Sequence, residues 1–318
     1  MMKILANDGM EASAKAALEQ AGFEVHDVKI PQDELANHIN EFDVLTVRSA
    51  TKVRKPLIDV ISRTKLIIRG GVGLDNIDVE YAQSKDIMVR NTPLASSQSV
   101  AELVFAHLFG LVRFLPESNR EMPVNGTQQF KALKEKFSKG SELKGKTLGF
   151  IGFGNIGQAT AKIAIGCGMR VMAYDLFPRD WNLEMQLMNS IRVSVPVKPS
   201  TKEEVLRNSD FITIHSAGAT TVISKDEFVM MKDGVGIINC ARGGTINEAD
   251  LLQALHTGKV AFAGIDVFEE EPTHNVALLQ HPRVSLTPHI GASTREAQDR
   301  IGKEVVDIIV NFSQSKQP

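Results

Sequence analysis

The chain alternates short β-rich runs with helical stretches, and this alternation restricts its fold more than any other feature. KILAND at 3–8 and DVLTVR at 43–48 are predicted strands of a first series, with helical stretches between the strands. Short connections between strands and helices imply parallel strands joined by crossover helices. A second series begins at residue 146, so the sequence predicts an α/β fold of two doubly wound parallel-sheet domains. The predicted strands are 3–8, 23–28, 43–48, 66–71 and 87–91 in the first series, and 146–152, 170–175, 191–198, 211–216, 235–241, 260–268 and 283–288 in the second.

A long helical region separates the two series. SVAELVFAHLFGLVRFL, from about Ser97 to Leu115, is apolar on nearly every side. A helix without a polar face is buried or lies in a subunit interface. We therefore expect His107 on this helix to pack in an interface rather than to act in catalysis.

A glycine motif opens the second series. Gly152-Phe153-Gly154-Asn155-Ile156-Gly157 fits G-x-G-x-x-G, follows the strand KTLGFI and opens the helical stretch QATAKIAIG. In such a turn Gly152 permits the tight bend, Gly154 lets the backbone approach a pyrophosphate, and Gly157 allows the helix to pack closely on the strand. The start of the helix also points free N–H groups at the anion. The motif predicts a dinucleotide-binding domain of the Rossmann type; the alternative is a glycine-rich turn without a ligand.

The next predicted strand, RVMAYD, ends in Asp175. A carboxylate at this position accepts hydrogen bonds from the hydroxyls of the adenosine ribose and repels the 2′-phosphate of NADP. The sequence therefore predicts NAD as the cofactor, and the alternative is a solvated acid at the end of a strand.

Three charged side chains follow predicted strands of the second series. Arg242 comes after VGII, Glu271 after AFAGI and His289 after RVSL. Open α/β sheets bind ligands at the carboxyl ends of their strands, so we expect these three side chains to converge beside the nicotinamide. Glu269 and Glu270 compete with Glu271 by composition, and only the position of Glu271 before a proline separates them.

These residue types suit the oxidation of a secondary alcohol by NAD. A histidine can remove the hydroxyl proton while hydride leaves the carbon, because its ordinary pKa is about 6.5. A neighbouring carboxylate orients the imidazole and raises its pKa. An arginine binds a substrate carboxylate through two parallel hydrogen bonds.

The charge balance argues against two classes of partner. Lys and Arg number 36 against 38 Asp and Glu, and the formal charge is −2. A chain this close to neutral has no general attraction for nucleic acid or anionic membranes. No apolar run reaches the roughly 20 residues of a membrane-spanning helix, and the start MMKILANDGM lacks the features of a signal peptide. With two cysteines that lack metal-ligand spacing, we expect a cytoplasmic protein without a bound metal.

Several segments, in order along nearly the whole chain, resemble the D-isomer-specific 2-hydroxyacid dehydrogenases, and among them most the D-3-phosphoglycerate dehydrogenases. The resemblance implies a flavodoxin-like substrate domain of residues 1–96 and 290–318, and a Rossmann NAD-binding domain of residues 97–289. It also implies a homodimer built on the helix near 98–115, and a short form without the C-terminal serine-binding domain of longer relatives. The segments are VRSATKV, GGVGLDNID, LKGKTLGFIGFGNIG, MKDGVGIINCARGG, GKVAFAGIDVFEEEP and SLTPHIGASTREAQDRIG.

The resemblance also assigns roles to individual residues. It places the catalytic arginine at Arg242, the catalytic glutamate at Glu271 and the acid/base histidine at His289. Besides the glycines of the motif, it implies cofactor contacts at Asn155, Ile156, Asp175, Ser216, Cys240, Ala241, Asp266, Gly291 and Ala292, with Asp266 meeting the nicotinamide carboxamide. The backbone N–H groups that would bind the substrate carboxylate are those of Gly71, Val72 and Gly73.

A phosphorylated substrate needs cations, and VRSATKVRK supplies them at the end of the third strand. In the resembling enzymes the arginine-bearing loop faces the cleft, so Arg48 is the first expected phosphate contact and Lys52 the second. The alternative is that both are solvated surface charges, which are common and weakly paired.

The predicted function is NAD-dependent oxidation of 3-phospho-D-glycerate to 3-phosphohydroxypyruvate, the first committed step toward L-serine. An alternative with the same chemistry is the reduction of glyoxylate or hydroxypyruvate. An alternative of another class is an NAD(H)-sensing binding protein, like the transcriptional corepressors that share this scaffold.

Overall fold

Two parallel sheets organise the chain in the computed structural model, which describes residues 1–218 and 220–315 apart from the side chain of Asn189. The chain divides into a first unit, Met1–Ser97 with Ala292–Pro318, and a second unit, Gln98–Gly291. The sequence predicts 1–96 with 290–318 and 97–289 for the two domains. Residues 316–318 of the predicted C-terminal segment lie outside the described residues.

Strands and helices alternate along most of the chain. The strands are β1 (Lys3–Ala6), β2 (Glu24–His26), β3 (Val44–Val47), β4 (Leu66–Arg69), β5 (Met88–Asn91), β6 (Thr147–Ile151), β7 (Arg170–Tyr174), β8 (Trp181–Gln186), β9 (Arg192–Val197), β10 (Phe211–Ile214), β11 (Val235–Asn239), β12 (Val260–Ile265) and β13 (Val284–Leu286). The α-helices are α1 (Ala12–Gln20), α2 (Leu35–His38), α3 (Lys55–Val60), α4 (Val79–Ser84), α5 (Ser97–Val112), α6 (Leu115–Lys136), α7 (Asn155–Gly166), α8 (Lys202–Asn208), α9 (Lys225–Met230), α10 (Glu248–Thr257), α11 (Val276–Leu279) and α12 (Arg295–Gln314).

The first unit has a five-stranded parallel sheet in the order β2-β1-β3-β4-β5. This is the flavodoxin-like order, as predicted. Successive strand residues face opposite sides, and both sides are buried. Ile4 and Ile68 pack with α12 on one side, whereas Leu5 and Ile67 pack with α2 and α3 on the other.

The second unit has a six-stranded parallel sheet in the order β13-β12-β11-β10-β6-β7. A Rossmann sheet has the order 3-2-1-4-5-6, and here β7 and β6 occupy positions 2 and 1. A single parallel bridge between Ala173 and Pro199 stands beside β7, where the third strand of that order would lie. The predicted fold class, with a Rossmann domain and a flavodoxin-like domain, is confirmed.

A β-hairpin in the second unit corrects two expectations. The sequence predicts 191–198 as one more strand of the alternating series, and Trp181 as packing for a peripheral helix. Instead, β8 pairs antiparallel with β9 as a separate two-stranded sheet. The burial of Trp181 and Leu183 between exposed Asn182 and Glu184 has the period of two that a strand requires, not a helical period.

Helix α5 packs inside the second unit through most of its apolar residues, including Val104, Phe105 and Leu108. The expectation for His107 is wrong, because this side chain is 3% exposed and is buried within its own chain. The sequence does not predict α6, since Pro123 and Gly126 lower the helix propensity of that stretch. No single helix among the described residues is long and apolar enough to cross a membrane, although α5 and α6, bent by 54°, pass such a test as a pair.

Candidate active site

The glycine loop between β6 and α7 has the geometry that the motif predicts. Gly152 has φ +94°, and a Cβ there would lie 2.6 Å from the carbonyl carbon of His215. A Cβ on Gly157 would lie 2.9 Å from the carbonyl oxygen of Gly152. Gly152 therefore allows the turn and a close neighbouring strand, and Gly157 allows α7 to approach the loop.

Gly154 is a glycine for a different reason. Its φ is −71°, which any residue adopts, and it precedes α7 as the N-cap. A Cβ there would meet nothing within 4 Å. The fold itself does not require a glycine at this position, so the open side fits an anion that approaches the free N–H groups at the start of α7. Asn155 and Ile156 are the first residues of this helix.

Asp175 lies just after β7 and binds the same loop. Its Oδ2 accepts a hydrogen bond from the backbone N–H of Phe153 at 2.7 Å, and its Oδ1 accepts one from Phe177 at 2.9 Å. An ionised carboxylate has about four lone-pair sites, so it can also accept from a ribose hydroxyl. Asp175 thus holds the loop in place, which the sequence does not reveal.

Three further predicted cofactor residues of the second unit, Ser216, Cys240 and Ala241, follow β10 and β11. The Ser216 hydroxyl oxygen is buried without a hydrogen-bond partner among the described residues, as is Nδ1 of His215 beside it. Burial, and then the nearby Asp266, raise the pKa of the Cys240 thiol. This fits an unreactive, protonated thiol. The N–H of Ala241 donates to the side chain of Asn239 at 3.1 Å.

The predicted histidine and glutamate are in direct contact. Nδ1 of His289 lies 2.7 Å from Oε2 of Glu271, and the two side chains are 48% and 40% exposed. The imidazole is therefore oriented by a carboxylate through one nitrogen and can reach a ligand with the other. The remaining oxygen of Glu271 accepts from the N–H of Phe268 at 3.3 Å.

Geometry also separates Glu271 from its two acidic neighbours. Oε1 of Glu269 accepts the N–H of Glu248 at 2.9 Å, and the N–H of Glu269 donates to Oε1 of Glu248 at 2.9 Å. Glu269 thus holds its loop against the start of α10, whereas Glu270 is exposed. Within the described residues, Glu271 is the one of these three glutamates that contacts His289.

Asp266, 1% exposed at the end of β12, holds the loop that carries His289. Its Oδ1 accepts from the Thr287 hydroxyl at 2.6 Å and from the N–H of Ile290 at 2.9 Å. Its Oδ2 accepts from the N–H of Gly291 at 2.9 Å, and its carbonyl oxygen accepts from the N–H of His289 at 2.8 Å. These bonds surround His289, whose φ is +54°. This left-handed conformation is rare outside glycine, so it needs such support.

Arg242 lies on the loop after β11, half-buried. Its carbonyl oxygen accepts from the Thr245 hydroxyl at 2.7 Å, and its Nη1 donates to the carbonyl oxygen of Ala241 at 2.6 Å. A Cβ on Gly243 would lie 1.6 Å from the carbonyl oxygen of Phe268. The backbone beside Arg242 is therefore pressed against the segment that leads to Glu271.

In the first unit, Arg48 follows β3 and is already paired. Its Nη2 lies 3.1 Å from Oε1 of Glu11, and both side chains are 36% exposed. The backbone N–H of Arg48 donates to Oδ2 of Asp8 at 2.8 Å. Lys52 is exposed, and its backbone exchanges two hydrogen bonds with the side chain of Gln32.

The predicted Gly71–Gly73 loop reveals a cation that the sequence reasoning missed. Gly71 has φ +145°, and a Cβ there would lie 1.8 Å from Nη1 of Arg69. The guanidinium of Arg69 therefore lies over this loop. Arg69 ends β4 beside Val47 in register, so a charged last residue on the strand next to β3 was the available signal. Ala292, at the start of the C-terminal segment, accepts from Nε2 of Gln298 at 2.9 Å.

The strand order of the second unit, its glycine loop and the side chains at the carboxyl ends of its strands define a nicotinamide-dinucleotide-binding domain. Residues 105–291 match the family model described as "D-isomer specific 2-hydroxyacid dehydrogenase, NAD binding domain". The chain belongs to this family of dehydrogenases.

Individual relatives agree with this membership. The chain is 42% identical over 314 residues to a hydroxypyruvate reductase of Thermotoga maritima, covering 96% of this chain and 97% of the relative. It is 37% identical over 319 residues to a D-3-phosphoglycerate dehydrogenase of Bacillus subtilis, covering 98% of this chain but only 57% of the length of that relative. The structure of an Aquifex aeolicus D-lactate dehydrogenase complexed with NAD and lactic acid superposes with a TM-score of 0.78, at 28% identity, and covers 98% and 96% of the two chains.

The family membership establishes NAD as the cofactor and oxidoreduction of a 2-hydroxy acid as the activity class. The glycine loop fits that cofactor on its own geometry, because Gly154 leaves an open side at the start of α7. The relatives differ in the 2-hydroxy or 2-oxo acid that their names specify.

Proposed function

We propose that this chain is a D-3-phosphoglycerate dehydrogenase, which oxidises 3-phospho-D-glycerate to 3-phosphohydroxypyruvate with NAD, on the phosphorylated route to L-serine. The observation that carries the proposal is the direct contact of His289 with Glu271 in the second unit. The first unit adds two arginines, Arg48 and Arg69, at the carboxyl ends of neighbouring strands. The first feature supports oxidation of a hydroxy acid. The second supports a substrate with more than one anionic group.

The proposed chemistry uses His289 as acid and base. NAD, which the glycine loop of Gly152, Gly154 and Gly157 would hold, would supply the acceptor for the hydride that leaves C2 of the substrate. In that step Nε2 of His289 takes the hydroxyl proton, and Glu271, bound to Nδ1, stabilises the imidazolium that forms. Arg242 binds the substrate carboxylate beside the reacting carbon. In the reverse direction the protonated imidazole donates to the ketone oxygen.

Substrate anions are bound by the first unit in this proposal. The N–H groups of Gly71, Val72 and Gly73 bind the carboxylate, and Arg48 and Lys52 bind the phosphate. Glu11 forms an ion pair with Arg48 in the structure. Because exposed ion pairs are worth at most about 1 kcal/mol, a dianionic phosphate can displace Glu11 from Arg48.

A second candidate is hydroxypyruvate or glyoxylate reduction with the same catalytic residues. The 42% identity to a hydroxypyruvate reductase over nearly the full length of both chains favours it. The Glu11–Arg48 pair favours it as well, since Glu11 already neutralises the cation that a phosphate would need.

The two candidates are separated by NADH oxidation with phosphohydroxypyruvate, hydroxypyruvate and glyoxylate. We expect the highest kcat/KM with phosphohydroxypyruvate. We expect Arg48→Ala to raise the KM for that substrate by about tenfold or more, the worth of a charge-assisted hydrogen bond, and to leave the KM for glyoxylate unchanged. A higher kcat/KM with hydroxypyruvate, together with no effect of Arg48→Ala, would identify the second candidate.

We also propose a homodimer that forms through α5 and α6. Exposed apolar side chains on these helices support it, since Phe109, Leu115 and Phe130 are 45%, 51% and 60% exposed. Light scattering of the purified protein tests the mass.

A further inference from the structure

A chain of hydrogen bonds runs from α5 to the loop of His289. Nδ1 of His107 lies 2.9 Å from the Ser285 hydroxyl, and its Nε2 lies 3.0 Å from the Thr287 hydroxyl. Thr287 donates in turn to Oδ1 of Asp266 at 2.6 Å. Asp266 is the residue whose carboxylate and carbonyl hold the segment around His289.

The direction of each bond follows from the carboxylate. An aspartate is ordinarily ionised at neutral pH and can only accept, so the single hydroxyl proton of Thr287 points at Asp266. Thr287 must then accept from His107, which places the imidazole proton on Nε2. Nδ1 is left as an acceptor for the hydroxyl proton of Ser285. In this arrangement both nitrogens of His107 and the hydroxyls of Ser285 and Thr287 each have a hydrogen-bond partner.

The surroundings of His107 are shaped for a neutral imidazole. The side chain is 3% exposed, and burial lowers its pKa, although Asp266 opposes that shift. A Cβ on Gly264 of β12 would lie 2.7 Å from Cβ and 2.9 Å from Cγ of His107. The glycine in the strand therefore makes the space in which the ring lies.

We propose that His107 is a positioning residue for His289: its neutral imidazole orients the Thr287 hydroxyl toward Asp266, and thereby keeps the loop of His289 in the geometry for proton transfer. This inference rests on the proposed acid/base role of His289. It adds a residue on α5 that neither composition nor the resemblance assigns to the reaction.

The first unit shows that an amide can serve in the same place. The Thr51 hydroxyl donates to Oδ1 of Asp8 at 2.7 Å and accepts from Nδ2 of Asn7 at 2.8 Å. The Thr51 hydroxyl thus accepts from an amide N–H and, at 3.1 Å, from Nζ of Lys29, whereas the Thr287 hydroxyl accepts from His107. Substitution of His107 by an amide side chain can therefore test the role of each imidazole nitrogen by itself.

His107→Gln and His107→Asn form a matched pair. The amide nitrogen of glutamine reaches about as far as Nε2 and can still donate to Thr287, whereas that of asparagine reaches only about as far as Nδ1. We expect His107→Asn to lower kcat about tenfold, within the range that a small displacement of a catalytic group produces, and His107→Gln to recover most of it. NADH affinity, measured through the fluorescence of Trp181 beside the glycine loop, should change much less than kcat.

Thermal unfolding separates positioning from a merely structural role. A structural role would lower the midpoint of unfolding equally in both variants and leave their kcat values alike, and that result would overturn the inference. A double-mutant cycle adds a second criterion. Because His107 acts through Thr287, His107→Asn should slow the Thr287→Val variant no further, whereas multiplied losses would contradict the relay.

Amide hydrogen exchange gives a readout that does not depend on turnover. We expect the peptide that covers 287–291 to exchange faster in the full-length His107→Asn protein than in His107→Gln, because the loop bonds open more often. If the wild type reduced none of the three substrates above, the proposed function would fail while this comparison still decided the inference. Equal exchange in the two variants would contradict the positioning role of His107 and leave the proposed function unaffected.

Discussion

Two buried aspartates, one in each unit, hold their loops by the same device. Asp8 follows β1 and accepts from the N–H groups of Arg48 and Thr51 and from the Thr51 hydroxyl, all on the loop after β3. Asp266 follows β12 and accepts from two N–H groups and the Thr287 hydroxyl on the loop after β13. In both cases an aspartate after one parallel strand binds the loop after the neighbouring strand.

The two devices differ in what lies behind the carboxylate. Asp8 also pairs with Lys29, whose side chain is 54% exposed, so a charge at the surface completes its environment. The Thr287 hydroxyl that donates to Asp266 is bonded in turn to His107, which is 3% exposed and neutral because burial lowers its pKa. A surface charge is screened by salt and water, whereas a buried chain of hydrogen bonds is not. We therefore expect the loop of His289 to hold its geometry more strictly than the loop of Arg48.

The largest effect should come from the residue that the second device positions. We expect His289→Ala to lower the rate of NADH-dependent reduction by about 10²–10⁴-fold, the usual worth of a positioned acid/base. His274→Ala, at an exposed histidine two residues past the Glu271–Pro272 bond, is the matched control. A loss of less than tenfold in His289→Ala would show that the pair with Glu271 is not the acid/base.

The two aspartates should then differ in which kinetic constant they affect. In Asp266→Asn an amide N–H group replaces an acceptor for the loop, so we expect kcat to fall by on the order of 10-fold to 100-fold. In Asp8→Asn the loop of Arg48 loosens, so we expect the KM for an anionic substrate to rise about tenfold, the equivalent of one hydrogen bond, with a smaller change in kcat. Steady-state kinetics of both variants test this, and the same pattern in both would break the comparison.

The smallest effect concerns acid stability. Burial alone would raise the pKa of Asp8, but hydrogen bonds from Lys29, Thr51 and Arg48 outweigh it and hold this pKa below the ordinary 3.8. Folding therefore gains stability from Asp8 above pH 3.8, and this gain is lost as the pH falls through the lower pKa of the folded state.

We expect urea unfolding to show a smaller loss of stability between pH 7 and pH 3 in Asp8→Asn than in the wild type. Lys29→Met, which removes only the exposed cation, should lie between the two, and its difference from the wild type should shrink in high salt. An identical pH dependence in wild type and Asp8→Asn would refute the assignment.

Much of the fold could be predicted because its signals are local. Every predicted strand contains an observed one, since runs such as Leu66–Ile68 and Val235–Ile238 are buried on both faces of parallel sheets and are therefore apolar. The sequence did not predict β8 or its antiparallel pairing with β9, because the period of two at Trp181 and Leu183 was interpreted as helical packing. Helix α6 was missed because its polar sequence contains a proline and a glycine.

The candidate site was predictable to a similar extent. The side chains of His289 and Glu271 are brought together by strand ends that the alternation already predicts. The sequence did not predict a role for Arg69, because only the structure shows that its guanidinium lies over the Gly71–Gly73 loop. The second role of Asp175, as an acceptor for the glycine loop, also depends on a contact between distant residues.

By itself, the sequence determined most of the segments that form parallel strands, where a dinucleotide loop begins, and which residue types can move a proton beside it. Tertiary structure alone decided that His107 bonds to Thr287 across 180 positions of the chain, and that Asp175 binds the glycine loop. The physical reason is that periodicity and turn chemistry act between near neighbours in the sequence. A hydrogen bond, by contrast, needs two atoms about 3 Å apart, which only the order of packed strands can arrange.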